Sequence, residues 1–365
     1  MVRCRPDRGA VGYSLLCALA FAGLCVNAVG MEQVKLSDDK QGFVPSSSGD
    51  CFTPWGHNYA SIDILERLSN EPLRVERDFA EMKAAGTTVA RIHPEMPRIL
   101  RGPREADPIA LEQVKALLRI AEKSGIHLMI TGLACYQIDN RLEWYDSMTT
   151  DERWKTQCFF WETIARTCAG SPAVFAYDLV NEPAAIGTPS DGWYTGRMGE
   201  VEFCQRLSLG NDRRNNDDVF REWTTLMVAA IRSNDNTHLI TMGMLPFPAA
   251  YKAAAEKLDF VSPHLYPKTG KVDDEITLLK RFAWGKPIVI GETFPLTCSV
   301  DDERAFLLSS RPWAEGWIGH WPDDSPERLA TLKADGQATI HNLIWLSWVE
   351  LFEELGERMT GDESH

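Results

Sequence analysis

The sequence predicts an α/β fold: a (β/α)8 TIM barrel in a single domain. Three observations carry that expectation. Strand-like and helix-like segments alternate from about residue 51 to residue 359. Several of the strand-like segments are apolar throughout, as expected of a parallel sheet covered on both faces. Eight such segments occur, and eight is the number that closes a barrel of this kind. An open doubly wound sheet is the alternative, but no G-x-G-x-x-G or Walker-type loop follows an early strand.

FTPWGHNY (52–59) reads as the first strand. LRVERDFAEMKAAG (73–86) has helical apolar spacing and ends on a glycine suited to a left-handed cap. TTVARIH (87–93) is the second strand. Asp107 and Pro108 then open a helix that closes on Gly125. HLMITGL (127–133) is the third strand, followed by a helix over about 151–168. AVFAYDLV (173–180) is the fourth strand, with a helix at about 218–233 after it. HLITMG (238–243) and an Ala-rich helix near 248–257 form the fifth unit. DFVSPHLYP (259–267) holds the sixth strand and 271–285 its helix. PIVIGET (287–293) is the seventh, with a helix near 301–310, and GWIGHW (316–321) is the eighth. The last helical region, about 325–359, is expected to break near Gly336.

Residues 184–217 form the longest β-to-α connection and carry Trp193, Tyr194 and the run NDRRNNDD. In a barrel such loops lie on the C-terminal face, where substrates bind. The charged run itself reads as a solvated lead into the next helix.

The two ends of the chain differ in character from the middle. Arg3, Arg5 and Arg8 precede an apolar stretch ending in small residues at Ala28, Val29 and Gly30, the pattern of an export signal over residues 1–30. An uncleaved membrane anchor is the alternative. Residues 31–50 are expected as a disordered or extended lead, 51–359 as the barrel and 360–365 as a tail. Export would place the protein outside the cytoplasm, as a secreted or periplasmic chain. Six of the nine cysteines follow the leader, an even number compatible with disulfides of undetermined pairing. Cys158 and Cys168, on one predicted helix, are too far apart to bridge each other.

A formal net charge of −14 argues against a general affinity for nucleic acid or anionic membranes. Twelve tryptophans suit a large core and also a site that stacks flat sugar faces. Trp55, Trp144 and Trp193 are candidates to line the mouth. With no CxxC or HExxH spacing, a dedicated zinc site is not expected.

Strand ends converge on one mouth in a barrel, so the polar residues there are the first candidates for a site. They are Arg91 and His93, Asn181 and Glu182, His264 and Tyr266, Glu292, and Trp321. Two glutamates, each ending an apolar strand, suit glycoside cleavage. One carboxyl protonates the leaving oxygen and the other attacks or activates water. Alternation along a strand cannot aim both Asn181 and Glu182 inward, so a bulge must re-aim one or one must face outward. Pro183 is expected to hold Glu182 extended and to stop the strand. Asp178 shares the parity of Glu182 and reads as a paired structural carboxylate.

The set VNEP on the fourth strand, HLYP on the sixth and IGET on the seventh resembles glycoside hydrolase family 5, the cellulase superfamily. So do GHNY, ARIH and the tryptophan of strand eight, and together they span roughly 52–321. The resemblance implies a retaining β-glycoside hydrolase with Glu182 as acid/base and Glu292 as nucleophile. It further implies that Asn181 meets the sugar 2-hydroxyl and that Arg91 keeps Glu292 ionised. Tyr266 would donate to Glu292, His264 would orient the site and Trp321, rather than Trp317, would be the sugar platform. Asn58 and Tyr59 are further candidates for sugar contacts. No metal or organic cofactor is implied, and the partner would be an oligo- or polysaccharide. The family often has a histidine on strand three where this chain reads GLACY (132–136), and His93 is a candidate to take over part of its role. Two rivals from other classes are a sugar-binding pseudoenzyme on the same barrel and a membrane-anchored scaffold.

Overall fold

The computed structural model describes residues 30–60, 64–210 and 214–361. The expected leader, apart from Gly30, lies outside the described residues, as does the end of the tail from 362 onward. Eight parallel strands form the ring: β1 (Trp55–Asn58), β2 (Val89–Ile92), β3 (His127–Thr131), β4 (Val174–Asp178), β5 (Leu239–Thr241), β6 (Ser262–Pro263), β7 (Val289–Ile290) and β8 (Gly316–His320). Pairing runs from β5 back through β4, β3, β2 and β1 to β8 and β7. The gap closes because β5 resumes at Gly243–Met244 and pairs with β6, while bridges Val261–Ile288 and His264–Glu292 join β6 to β7. That last bridge places a candidate site residue from each of two neighbouring strands side by side.

The helices follow the expected alternation: α1 (Pro72–Ala84), α2 (Pro108–Ser124), α3 (Thr150–Cys168), α4 (Asn216–Arg232), α5 (Pro248–Ala255), α6 (Val272–Lys280), α7 (Val300–Ser310) and α8 (Ile340–Thr360). Their starts are chemically marked. Asp107 caps α2 by accepting from the Ile109 amide, and Thr149, Asn215, Ser299 and Thr339 cap α3, α4, α7 and α8 with reciprocal boxes. Each such cap stabilises its helix by about 1 kcal/mol. Gly125 ends α2 at φ 65°, a left-handed turn that a side chain would resist. A short helix, Pro326–Ala334, precedes α8, and the expected break falls at Gly336 with φ 67°. Asn215 as the cap of α4 agrees with a helix lead-in, although residues 211–213 of the charged run lie outside the described residues.

Two cores result. Inside the ring, Val89, Met129, Phe175, Ala176, Leu239, Phe260, Val289 and Ile318 form a closed cluster. The larger core lies between strands and helices. Residues 31–50, expected as a disordered or extended lead, carry a hairpin of Val34–Leu36 and Phe43–Pro45. Phe43 sits edge-on to Phe175 at 5.2 Å and to Phe260 at 5.4 Å, so the hairpin closes the floor of the barrel. The apolar alternation of so short a segment is too weak to announce this in sequence.

The connection after β4 also differs from a plain loop. Ala184–Gly187, Tyr194–Met198 and Val201–Leu209 form a small sheet that also takes in Tyr136–Gln137. Its longest strand, VEFCQRLSL, buries Glu202, Gln205 and Ser208 while Val201, Phe203 and Leu209 stay partly exposed, so burial does not follow its hydrophobic pattern. Among the described residues no disulfide joins Cys135, Cys158, Cys168, Cys204 or Cys298. No described helix is long and apolar enough to cross a membrane.

Candidate active site

Arg91, fully buried at the end of β2, is the hub of the mouth. Its Nε donates to Asp178 Oδ2 at 2.8 Å, and its Nη2 donates to Asn181 Oδ1 at 2.9 Å. Nη1 reaches Asn58 Oδ1 at 2.7 Å, Glu292 Oε1 at 2.7 Å and His93 Nε2 at 3.2 Å. Asp178 also accepts from Thr131 Oγ1 at 2.8 Å and from the Gly243 amide at 2.7 Å. It is therefore the paired structural carboxylate its position suggested, and it anchors the guanidinium that reaches Glu292.

Glu292 follows β7 and is held at both oxygens. Arg91 takes Oε1, while Tyr266 Oη donates to Oε2 at 2.6 Å. His264 Nδ1 lies 3.5 Å and His320 Nε2 3.9 Å from the same Oε2. Burial alone would raise this carboxyl, but His264, Arg91, His320 and the Tyr266 hydroxyl outweigh it and hold Glu292 well below the carboxylate range. The next residue is fixed as well: Thr293 Oγ1 donates at 2.5 Å to Glu303, a buried carboxyl in the first turn of α7. Burial pushes Glu303 up to about 7.

Glu182 reaches the mouth differently. β4 proper ends at Asp178, and Glu182 adopts φ 47°. The expectation that Pro183 holds it extended is thus corrected. The left-handed turn answers the alternation problem, because it re-aims Glu182 while Asn181 keeps its bond to Arg91. The Glu182 amide still donates to Gly243 O at 3.0 Å, and its carbonyl accepts from Cys204 Sγ at 2.7 Å. Its carboxylate Oε1 lies 2.8 Å from His264 Nδ1. Asn181 Nδ2 donates to Phe203 O at 2.8 Å, so the small sheet after β4 grips both residues of the Asn–Glu pair.

His264 therefore stands between the two glutamates. Its other nitrogen, Nε2, is buried and lacks a hydrogen-bond partner among the described residues. A Cβ on Gly243 would lie 2.8 Å from that nitrogen, and one on Gly291 would lie 3.1 Å from it. Only glycines on the flanking strands leave room for the ring. One oxygen of each glutamate and one nitrogen of His264 lie within 4.8 Å of one another. These are donor types a cation can use, but a guanidinium 2.7 Å from Glu292 opposes a second positive charge there. The arrangement suits proton handling by one carboxyl and attack by the other.

The remaining candidates divide. His93 is buried, and burial and Arg91 push it well below 6.5, so it faces Arg91 as a neutral ring. Asn58 is 2 % exposed, and its Nδ2 donates to Gly291 O at 3.1 Å and Gly319 O at 2.9 Å. Its amide ties β7 and β8 to Arg91 and leaves no face for a sugar. Tyr59 points away from the mouth, donating to Asp78 of α1 at 2.8 Å. Both residues are thus removed from the sugar-contact group, Asn58 by saturation and Tyr59 by orientation. Trp317 turns into the helix layer and donates to Ser310 Oγ at 2.8 Å. Trp321 shares its parity: it is 7 % exposed and belongs to the core between strands and helices. It meets edge-on at 5.0 Å a His57 ring that itself packs on Phe352 of α8, so the expectation of Trp321 as the sugar platform is corrected. Trp55 stacks on Phe352 at 3.8 Å, and Trp193 is buried under Arg153, so neither lines the mouth; Trp144 is partly buried.

Two features escaped sequence reasoning. His320 reaches Tyr266 Oη at 3.1 Å; its inward parity, shared with Ile318, was a usable signal masked by the tryptophans on either side. On the third strand's loop, Ala134 and Cys135 turn through φ 67° and 58°. They bury a thiol that burial and the Glu292 charge push well above its usual value.

A family model described as cellulase (glycosyl hydrolase family 5) matches residues 56–292, well over half of the chain. A mannan endo-1,4-beta-mannosidase A from Podospora anserina is 26% identical over 188 residues, covering 44% of this chain and 42% of its own length. The chain thus spans less than half of that relative. Among solved structures, an exo-beta-1,4-mannosidase from Opitutaceae bacterium strain TAV5 superposes with a TM-score of 0.65 at 15% identity. That match covers 89% of this chain and 62% of the other. A beta-mannanase from the blue mussel Mytilus edulis gives 0.56 at 14% identity, over 90% of this chain and 97% of its own.

Proposed function

The chain belongs to glycosyl hydrolase family 5, and from that premise we propose that it is a β-glycoside hydrolase acting by double displacement on a β-linked mannan or related glycan. One observation carries the reading. Two glutamates from different strand ends bring carboxylate oxygens within 4.8 Å of each other, and one of the two is strongly held in its charged form. Retaining enzymes place their carboxyls about 5–5.5 Å apart, whereas inverting ones leave about 6.5–9.5 Å for a water.

In this reading Glu182 protonates the leaving oxygen while Glu292 Oε2 or Oε1 attacks the anomeric carbon, forming a glycosyl ester. Glu182, now charged, then takes a proton from the water that hydrolyses that ester. His264 Nδ1, between both carboxylates, follows the charge as it moves. Arg91 and Tyr266 keep the nucleophile ionised and aimed. Asn181, fixed by Arg91 and Phe203, is the candidate for the sugar 2-hydroxyl. Relatives named as β-mannosidases or β-mannanases support mannosides as the substrate class. The arginines and apolar stretch of the leader support export, which sequencing of the mature N-terminus tests.

The test of substrate and stereochemistry is a single set of assays. Purified protein is offered mannan, β-glucan and xylan, and the first-formed anomer is read by proton NMR. The proposal expects mannan to be cleaved fastest, with the β-anomer appearing first. Preference for another glycan would remove mannan, and a first-formed α-anomer would remove double displacement.

A further inference from the structure

His320 closes β8 beside Asn58 of β1, and no role in the proposed chemistry has yet fallen to it. Its Nε2 lies 3.1 Å from Tyr266 Oη, and the phenol in turn lies 2.6 Å from Glu292 Oε2. A phenol carries one proton. At 2.6 Å from a carboxylate, which can only accept, that proton sits on the Glu292 side. The contact with His320 must then run the other way, from an Nε2–H into the phenol oxygen.

The ring is fixed well enough to hold that direction. It lies nearly parallel to Tyr266, with centroids 6.3 Å apart and planes at 25°, and Phe294 meets it edge-on at 5.9 Å. Its side chain is 25 % exposed, against 13 % for Glu292, so it stands on the open side of the nucleophile. A donor on the phenol oxygen polarises the O–H bond and strengthens its grip on the carboxylate. Conversely, a bare Nε2 would compete with Glu292 for the only proton Tyr266 has.

We propose that His320 is a positioning residue for the nucleophile: it donates from Nε2 to Tyr266 and thereby commits the Tyr266 proton to Glu292. The proposal rests on Glu292 being the nucleophile, but its first test does not require activity. In protein labelled with nitrogen-15 at histidine, the His320 signals, assigned by their loss in His320→Gln, are expected to show the Nε2–H tautomer at neutral pH. The Nδ1–H tautomer would overturn the proposal, whether or not any glycoside is hydrolysed.

The second test is a double-mutant cycle on kcat, with unfolding temperatures confirming that each variant folds. His320→Ala is expected to lower kcat roughly tenfold, the size of one lost hydrogen bond to a charged network, with KM changed less than about twofold. On a Tyr266→Phe background the same change is expected to cost less than about twofold, because the residue it acts through is gone. An undiminished loss on that background would overturn the proposal. Absence of any glycosidase activity in the wild-type protein would instead sink the hydrolase reading, leaving the tautomer to decide the role of His320.

Discussion

At the end of β7 the Glu292 carboxylate meets donors on both oxygens, from Arg91 and Tyr266, while the following Thr293 is tied to Glu303. At the end of β4 the backbone leaves the strand, turns Glu182 through φ 47° and offers its carboxylate the imidazole of His264. The first region is built from the barrel lattice itself. The second depends on an added sheet, whose Phe203 carbonyl and Cys204 thiol hold Asn181 and Glu182 in place. The difference matches the chemistry proposed for each carboxyl. A nucleophile must stay charged and aimed, so saturation with donors serves it. An acid/base must give up and regain a proton, and a titratable partner such as histidine suits that exchange.

The sharpest way to break this comparison is to remove each carboxylate in turn. Glu292→Gln is expected to lower kcat by at least about a thousandfold on every substrate while the protein still folds. Near-normal turnover would end the nucleophile assignment. Glu182→Gln is expected to cost about 10²–10⁴-fold on glycans, whose leaving groups need a proton, and far less on activated aryl glycosides. Equal losses on both substrate types would show that the β4 glutamate does not act as the acid.

The β7 side can also be probed through its support. The neutral Glu303 carboxyl is favoured by burial, with its value raised from 4.5 to about 7. A raised carboxyl adds stability that is fully present below its unfolded value and is lost as pH rises through the folded one. Wild-type unfolding temperature should therefore fall between about pH 5 and pH 8, and Glu303→Gln should flatten that fall. An identical slope in both proteins would detach Glu303 from the support of the β7 end. The smallest effect is expected on the β4 side. Cys204→Ala removes one weak thiol contact to the Glu182 carbonyl, costing below about 1 kcal/mol in urea unfolding and a few-fold in kcat.

The barrel was legible because its physics is local. Apolar runs of four to eight residues flanked by glycine and proline set the strands, and cap residues such as Asp107 and Thr149 set the helices. The mouth was legible at Arg91, His264, Tyr266 and Glu292 because strand-end polar residues in a barrel share one destination. What stayed hidden depends on contacts far apart in sequence. The inward aim of Glu182 comes from one backbone angle, and the sheet that holds it has a strand whose burial does not follow its hydrophobic pattern. Asn58 looks like a sugar ligand until the carbonyls of Gly291 and Gly319 are seen to occupy its amide. Tyr59, one residue further, faces the helices instead. His320 stands between tryptophans that drew the eye away from it.

The central claim is that Glu292 becomes covalently bonded to the sugar while Glu182 handles the proton. Incubating the protein with an activated 2-deoxy-2-fluoro-β-mannoside and mapping the product by peptide mass spectrometry tests it most directly. The account predicts one fluorosugar adduct per chain, on the peptide containing Glu292, formed slowly in Glu182→Gln and absent in Glu292→Gln. An adduct on another residue, or active enzyme that turns over glycan yet never forms one, would contradict it.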